Sequence, residues 1–325
     1  MTAGHRRTVA LGGGHGLFAS LTALRRLPGE LTAVVTVADD GGSSGRIRRE
    51  LGVLPPGDLR MALAALAGTG AVEQAWADLY QHRFNGSGAL AGHPVGNLVL
   101  TGLMEQLGDP VAALDRAASV LGCVGRVLPM SNVPLDLVAE VDAFDRDDPV
   151  RGRRIRGQSA IATTPGRVRS VSVEPAAAPA CAAAVQAVQR ADAIVLGPGS
   201  WFTSVLPHLL MPELAAALTD TRAQVVVTLN LVPQPGETDG FSPRDHLAVL
   251  REYCPGLPVA AVVADETALA DHGPDLVQEV DRLGARLVVG RLRSGDGLDR
   301  HDPDALAAAL ASALQPEGAL ASDPA

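Results

Sequence analysis

The sequence of 325 residues contains no lysine, and its 27 basic residues are all arginine. Without lysine there is no Schiff base to pyridoxal phosphate or a carbonyl substrate, no P-loop lysine on a nucleotide phosphate and no kinase-type strand lysine. Any phosphate bound here must be held by arginine, backbone N–H groups, helix N-termini or a metal. Aromatic residues make up only 3%, too few for the stacking platforms on which single-stranded nucleic acids lie. The net charge of −9 and a pI near 5.3 argue against nucleic acid or an anionic membrane surface, both of which require a basic face. Cys123, Cys181 and Cys254 stand far apart with no CxxC, which points to buried thiols in a cytoplasmic protein rather than a disulfide framework. No apolar run approaches the roughly 20 residues of a membrane span. The eight histidines show no HExxH or comparable ligand spacing, so no structural zinc site is expected.

What is present is an alternation of β-branched runs and helical periodicity. Strand Thr8–Leu11 leads into Gly12–Gly16 and a helix at Leu17–Leu27. Strand Leu31–Ala38 leads into Asp39–Gly45 and a short helix at 46–51. Helical periodicity then continues from about 59 to Leu121, opened by Pro56 or Asp58 and interrupted by a loop at Asn85–Pro94. After Pro179 the alternation resumes, with helices at 180–190, 203–218, 243–252, 274–283 and 303–314 around strands Ala193–Leu196, Gln224–Leu229, Val259–Val263 and Arg286–Val289. This pattern predicts an α/β fold, Rossmann-like and doubly wound, with a mainly parallel sheet and helices on both faces. Residues 125–175 read as a small β-rich insertion carrying pieces at Gly125–Met130, Leu135–Val141 and Arg167–Val173. Its arginines Arg151, Arg153, Arg154 and Arg156 read as a solvated strand face, with a partner or oligomer surface as the alternative. Residues 1–314 are expected to form a single domain, followed by a disordered Pro- and Ala-rich tail over 315–325.

Four strands deliver polar, glycine-rich loops from their carboxyl ends: Gly12–Gly16, Asp39–Gly45, Gly197–Ser204 and Asn230–Phe241. In an open parallel sheet those ends share one edge, where ligands bind. The first loop suits phosphate, because glycines allow close backbone approach and the following helix presents free N–H donors. Gly14-x-Gly16-x-x-Ala19 with Asp39 also matches a dinucleotide fingerprint, making NAD a lesser alternative. Asp39 and Asp40 are suited to Mg²⁺, with a capping role in the turn as the alternative. Ser43 and Ser44 can donate to phosphate or cap the next helix, with Arg46 and Arg60 close behind in place of lysine. Gly197, Gly199, Ser200, Thr203 and Ser204 form a second candidate nest, and Asn230, Gln234, Glu237, Thr238 and Asp239 offer donors and acceptors for a sugar or base. His93 and Asn97, four apart, can face one ligand. No nucleophile and base pair stands out.

The segments GGGHG, TVADDGGSSGRIRRELG, PPGDLR, GHPVGNL, GRVLPMSN, GPGSWFTSVLPHLL and NLVPQPGETDGF, in this order, resemble the gluconeogenesis-factor family (YvcK-type, UPF0052). That family is related to the CofD transferases that move phospho-lactate onto a deazaflavin in coenzyme F420 biosynthesis. TVADDGGSSGR and QPGETDG favour the YvcK-type branch, although His15 stands where threonine is commoner. The resemblance implies a cytoplasmic UDP-sugar-binding regulator, with UDP-N-acetylglucosamine as the notable ligand, needed for cell shape and envelope synthesis on gluconeogenic carbon, and it brings no well-established reaction. It places ligand contacts on Gly13, Gly14, His15, Gly16, Asp39, Asp40, Ser43, Ser44, Asn97, Gly197, Gly199, Ser200, Thr203 and Asn230. The alternative is a Mg²⁺-dependent CofD-like transferase acting on a deazaflavin. Expected partners are the nucleotide sugar, a second copy of the chain and proteins of cell-wall or carbon metabolism.

Overall fold

The computed structural model describes residues 6–142 and 152–315. Arg151 and the tail beyond Gln315 lie outside the described residues. In chain order, β1 (Arg7–Gly12), α1 (Gly14–Leu24) and β2 (Glu30–Val35) form the first unit, followed by α2 (Gly42–Leu51), α3 (Pro56–Leu66), α4 (Ala71–Gln81), α5 (Val95–Leu107), α6 (Pro110–Val120) and β3 (Arg126–Pro129). Next come β4 (Asp136–Val141), β5 (Arg153–Arg156), α7 (Gln158–Ala162) and β6 (Val168–Glu174). The chain continues through α8 (Ala182–Arg190), β7 (Ala193–Leu196), α9 (Pro212–Thr219), β8 (Gln224–Thr228), α10 (Pro243–Tyr253), β9 (Val259–Asp265), α11 (Glu266–Arg282), β10 (Arg286–Gly290) and α12 (Pro303–Ala313).

Seven parallel strands lie in the order β10-β9-β8-β7-β1-β2-β3. Their interior runs, such as Val9–Leu11, Ile194–Leu196 and Val225–Val227, are almost wholly buried, as expected for strands covered on both faces. The chain steps one way from β1 to β3 and the other way from β7 to β10, so right-handed crossovers place the two sets of helices on opposite faces. α1 packs with α3 and α12, and α8 packs with α9. The reversal of winding falls between β1 and β7, which run side by side with Leu11 opposite Leu196. The predicted doubly wound fold is the one observed.

The second sheet is antiparallel, in the order β5-β4-β6. Its inner residues Leu137, Ala139, Val171 and Val173 join the same apolar core as the large sheet. Of the three β pieces read between 125 and 175, the first contributes β3 to the large sheet and the other two build the small one. Arg154 and Arg156 on β5 pair with Glu174 and Asp136, so they serve ion pairs on an exposed face.

The predicted helix over 203–218 is broken. Trp201–Val205 makes a single π turn, Leu206–Leu210 a 3₁₀ turn, and α9 starts afresh at Pro212. Pro207 and Pro212 lack the N–H a continuous helix needs. α11 likewise bends at His272, which has non-helical backbone angles just before Pro274.

Candidate functional site

The switch point sets two glycine-rich turns against each other. α1 begins at Gly14, which has φ +54°, a conformation available to glycine at little cost. His15 and Gly16 therefore occupy the first helical turn, whose N–H groups have no intrahelical acceptor. A Cβ on Gly16 would fall 2.2 Å from the Pro198 carbonyl oxygen, so the two turns touch backbone to backbone. Ser20 Oγ donates to the Gly197 carbonyl at 2.6 Å and fastens α1 to the second turn.

α3 starts at Pro56 with Asp58 in its first turn. Asp58 does not cap its own helix; its carboxylate accepts the Gly14 N–H of α1. Asp58 Oδ2 is enclosed without a partner, and a Cβ on Gly13 would lie 2.5 Å from it. Burial, reinforced by the charge of Asp39, pushes Asp58 up to about 7. Asp39 is also raised by burial, partly opposed by the Gly41 N–H at 2.9 Å and by Ser44. Asp40 faces the other way, and its Oδ1 accepts the Ser159 N–H of α7 at 2.8 Å. The sequence paired Asp39 with Asp40, whereas the fold couples Asp39 to Asp58. Among the described residues, no group of three or more His, Cys, Asp or Glu side chains is arranged to hold a metal ion.

α2 begins at Gly42, earlier than the predicted 46–51, which places Ser43 and Ser44 in its first turn. Ser43 Oγ lies 2.7 Å from His93 Nδ1. Asn97 Nδ2 donates to the same oxygen at 3.0 Å, and Asn97 Oδ1 accepts Arg60 Nε at 2.9 Å. All four side chains are buried. Burial, with a smaller contribution from Arg83, brings Arg60 down to about 10. Arg46 donates to the Ala91 carbonyl at 2.8 Å and so holds the loop that carries His93. His93 and Asn97 do share a target, as their spacing suggested, but that target is Ser43.

The second predicted nest is occupied from within. Asn230 Oδ1 accepts the Gly199 N–H at 2.8 Å, while its Nδ2 donates to the Gly199 carbonyl at 2.9 Å. Buried Glu237 accepts the Phe202 N–H at 3.1 Å and Thr203 Oγ1 at 2.5 Å, with further support from the Ser200 hydroxyl. Asn230, Ser200 and Thr203 fix the turn and Glu237 accepts the donors at the start of the broken helix, while Gly199, Asn230 and Gln234 also line the neighbouring crevice. Trp201 and Phe202 are fully buried packing residues.

Beside this turn lies a crevice of about 170 Å³, bounded by His15, Gly16 and Ala19 on one side and by Pro198, Gly199 and Leu231 on another. Asp299, Arg300 and His301, which follow β10, close its remaining side. None of these three stands out as a site residue in the sequence, where Asp58 reads only as a helix start. A polar run beyond a parallel strand end, SGDGLDRH at 294–301, was the available signal for the first group.

A doubly wound sheet whose switch point carries two glycine-rich turns beside the N-terminus of α1 defines a Rossmann-like α/β protein with a crevice at that point. Residues 8–282 match the family described as 2-phospho-L-lactate transferase CofD. The chain belongs to the CofD family, within its gluconeogenesis-factor branch. A Mycobacterium tuberculosis protein provisionally named gluconeogenesis factor is 55% identical over 307 residues, covering 93% of this chain and 88% of its own. The Gluconeogenesis factor of Listeria innocua is 38% identical and covers 95% of both chains. A crystal structure of a UPF0052 family member from Bacillus halodurans superposes with a TM-score of 0.82 at 34% identity, covering 94% of this chain and 98% of its own.

Proposed function

We propose that this chain is a cytoplasmic UDP-sugar-binding regulatory factor, with UDP-N-acetylglucosamine as the ligand, that adjusts cell shape and envelope synthesis to gluconeogenic growth. The observation that carries the reading is the first turn of α1. His15 and Gly16, whose N–H groups have no intrahelical acceptor, line the crevice at the switch point, and the positive end of the helix dipole favours a diphosphate there. Relatives named gluconeogenesis factor support the metabolic setting.

Asp58 lies against Gly13 and Gly14 at the start of α1 and is coupled to Asp39, so two carboxylates stand behind the helix start to which a diphosphate is proposed to bind. The enclosed, partnerless Asp58 Oδ2 and its coupling to Asp39 suit a hard divalent cation that shares oxygens between carboxylate and phosphate. The ligand is thus proposed to enter as its Mg²⁺ complex. Calorimetry with UDP-N-acetylglucosamine, GDP, NAD and a deazaflavin, each with and without Mg²⁺, tests this. Saturable binding should belong to the UDP-sugar, require Mg²⁺ and weaken at least tenfold in Gly16→Ala. A flat UDP-sugar titration with folded protein and Mg²⁺ removes the proposal.

A second reading, a CofD-like transferase acting on a deazaflavin, draws on Asp58. A carboxyl raised to about 7 is matched to proton transfer at neutral pH. Incubation with GDP-activated lactate or enolpyruvate, the deazaflavin and Mg²⁺ should then yield a phospho-adduct by mass spectrometry, and its absence counts against this reading.

A further inference from the structure

We propose that Ser43 is a nucleophile activated by His93, able to accept the phosphoryl group of an activated phosphoryl compound as a covalent phosphoserine. The inference stands apart from UDP-sugar binding and rests on the direction in which four buried side chains donate.

The chain of donors is fixed at one end by chemistry. Arginine carries only donors, so the oxygen of Asn97 must face Arg60 Nε at 2.9 Å. That orientation turns Asn97 Nδ2 towards Ser43 Oγ, where it donates at 3.0 Å. Ser43 Oγ lies 2.7 Å from His93 Nδ1, and with the ring proton on Nε2 the serine hydroxyl donates to Nδ1. In that tautomer the links leave a serine oxygen hydrogen-bonded to a basic ring nitrogen with a lone pair available. Burial and the nearby Arg46 hold His93 below its usual value, so the imidazole is neutral at pH 7 and free to take the proton. Ser43 itself occupies the first turn of α2, where unpaired N–H groups and the helix dipole stabilise developing negative charge. This is the arrangement of an activated nucleophile, a hydroxyl within hydrogen-bond reach of a base that is itself held in place. The partner is 50 positions away in sequence.

In the first step a bond forms between Ser43 Oγ and phosphorus, the hydroxyl proton passes to His93 Nδ1, and the P–O bond of a phosphoric anhydride breaks. The leaving phosphate departs with the electron pair. In the second step water attacks phosphorus, the Oγ–P bond breaks, His93 returns its proton to Oγ, and the proton lost by water passes to solvent. Phosphoric anhydrides and mixed acyl phosphates are the substrate class, because both carry a leaving group that needs no proton.

Diisopropyl fluorophosphate and acetyl phosphate, incubated separately with the full chain, test the proposal by intact-mass and peptide mass spectrometry. The expected result is a lasting diisopropylphosphoryl adduct on Ser43 alone and, with acetyl phosphate, a phosphoserine at Ser43 caught by rapid acid quench together with release of inorganic phosphate. His93→Gln, confirmed folded by an unchanged thermal melt, should slow labelling at least about 100-fold. No adduct on the folded parent chain, an adduct on Ser44 instead, or equal labelling rates in parent and folded His93→Gln would each overturn the assignment. Neither reagent is a nucleotide, so failure here leaves UDP-sugar binding untouched, and a failed calorimetric titration leaves this test intact.

Discussion

Glu237 meets Thr203 across 34 positions of sequence, with the threonine hydroxyl 2.5 Å from one carboxylate oxygen and the Phe202 N–H 3.1 Å from the other. The carboxylate occupies the place an external anion would take at the N-terminus of the broken helix. Two of the longest sequence motifs, around Gly197 and around Glu237, are therefore each other's ligands. Glu237→Leu leaves both donors buried and unpaired and should cost on the order of 2–4 kcal/mol, read as a lowered urea midpoint with unchanged slope. Stability within about 0.5 kcal/mol of the parent would show that the turn is held by other means.

Asp58 gives the molecule a pH dependence with a definite sign. Its ordinary value of 3.8 is raised to about 7 in the folded chain, so the folded state keeps a proton that the unfolded state releases. The resulting stabilisation is complete below pH 4 and is lost as pH rises through about 7, at an upper bound of about 1.4 kcal/mol per unit of difference. In EDTA, Asp58→Asn should melt close to the parent at pH 4 and above it at pH 8. A difference in melting temperature that does not grow over this range contradicts the burial argument.

Gly16 and Gly42 respond to alanine for different reasons. At Gly16 the new Cβ meets the Pro198 carbonyl oxygen at 2.2 Å, so the two turns must part and ligand affinity should fall at least tenfold. At Gly42 nothing lies within 4 Å, but φ is +46°, and the cost is backbone strain of about 1–2 kcal/mol. Calorimetry and thermal melts on both variants separate the two effects. Equal loss of affinity in both would remove the contact between turns as the cause.

Glu279 on α11 is fully buried and lies 3.1 Å from Arg251 on α10 and 2.9 Å from Arg282. Both arginines are nearly half exposed, so truncation leaves their charges access to water. Glu279→Ala should accordingly cost about 2–3 kcal/mol, less than breaking a fully buried pair, without altering ligand affinity. A change in affinity measured by calorimetry would tie α10 and α11 to the site.

The periodicity around Thr8–Leu24 and from residue 180 onward made the parallel sheet and its reversal legible, because buried β-branched runs and helical stripes are local properties. The same signal failed over 203–218. There apolar spacing favoured one helix, while two prolines and a carboxylate from a distant loop imposed two short turns and a separate helix. Asp39 and Asp40 were legible as a functional pair by adjacency, yet adjacency sends consecutive side chains in different directions, one to Asp58 and one to Ser159. Ser43, His93 and Asn97 were each legible as candidate site residues, but their hydrogen bonds to one another were not. His93 and Asn97 belong to a segment that only α3 and α5, packed together, bring beside α2. Both glycine-rich loops were read as phosphate nests, and composition could not reveal that Asn230 and Glu237 fill one of them.

β1 and β7 are neighbours in space, yet the Ser20–Gly197 hydrogen bond joining their turns spans 177 positions. During synthesis the first turn exists long before its counterpart, so the early half of the crevice waits unfinished until most of the chain has been made. A chain halted before Ala193 carries the first glycine-rich turn but lacks the wall against which it closes, so the proposed ligand would distinguish finished molecules from partial ones.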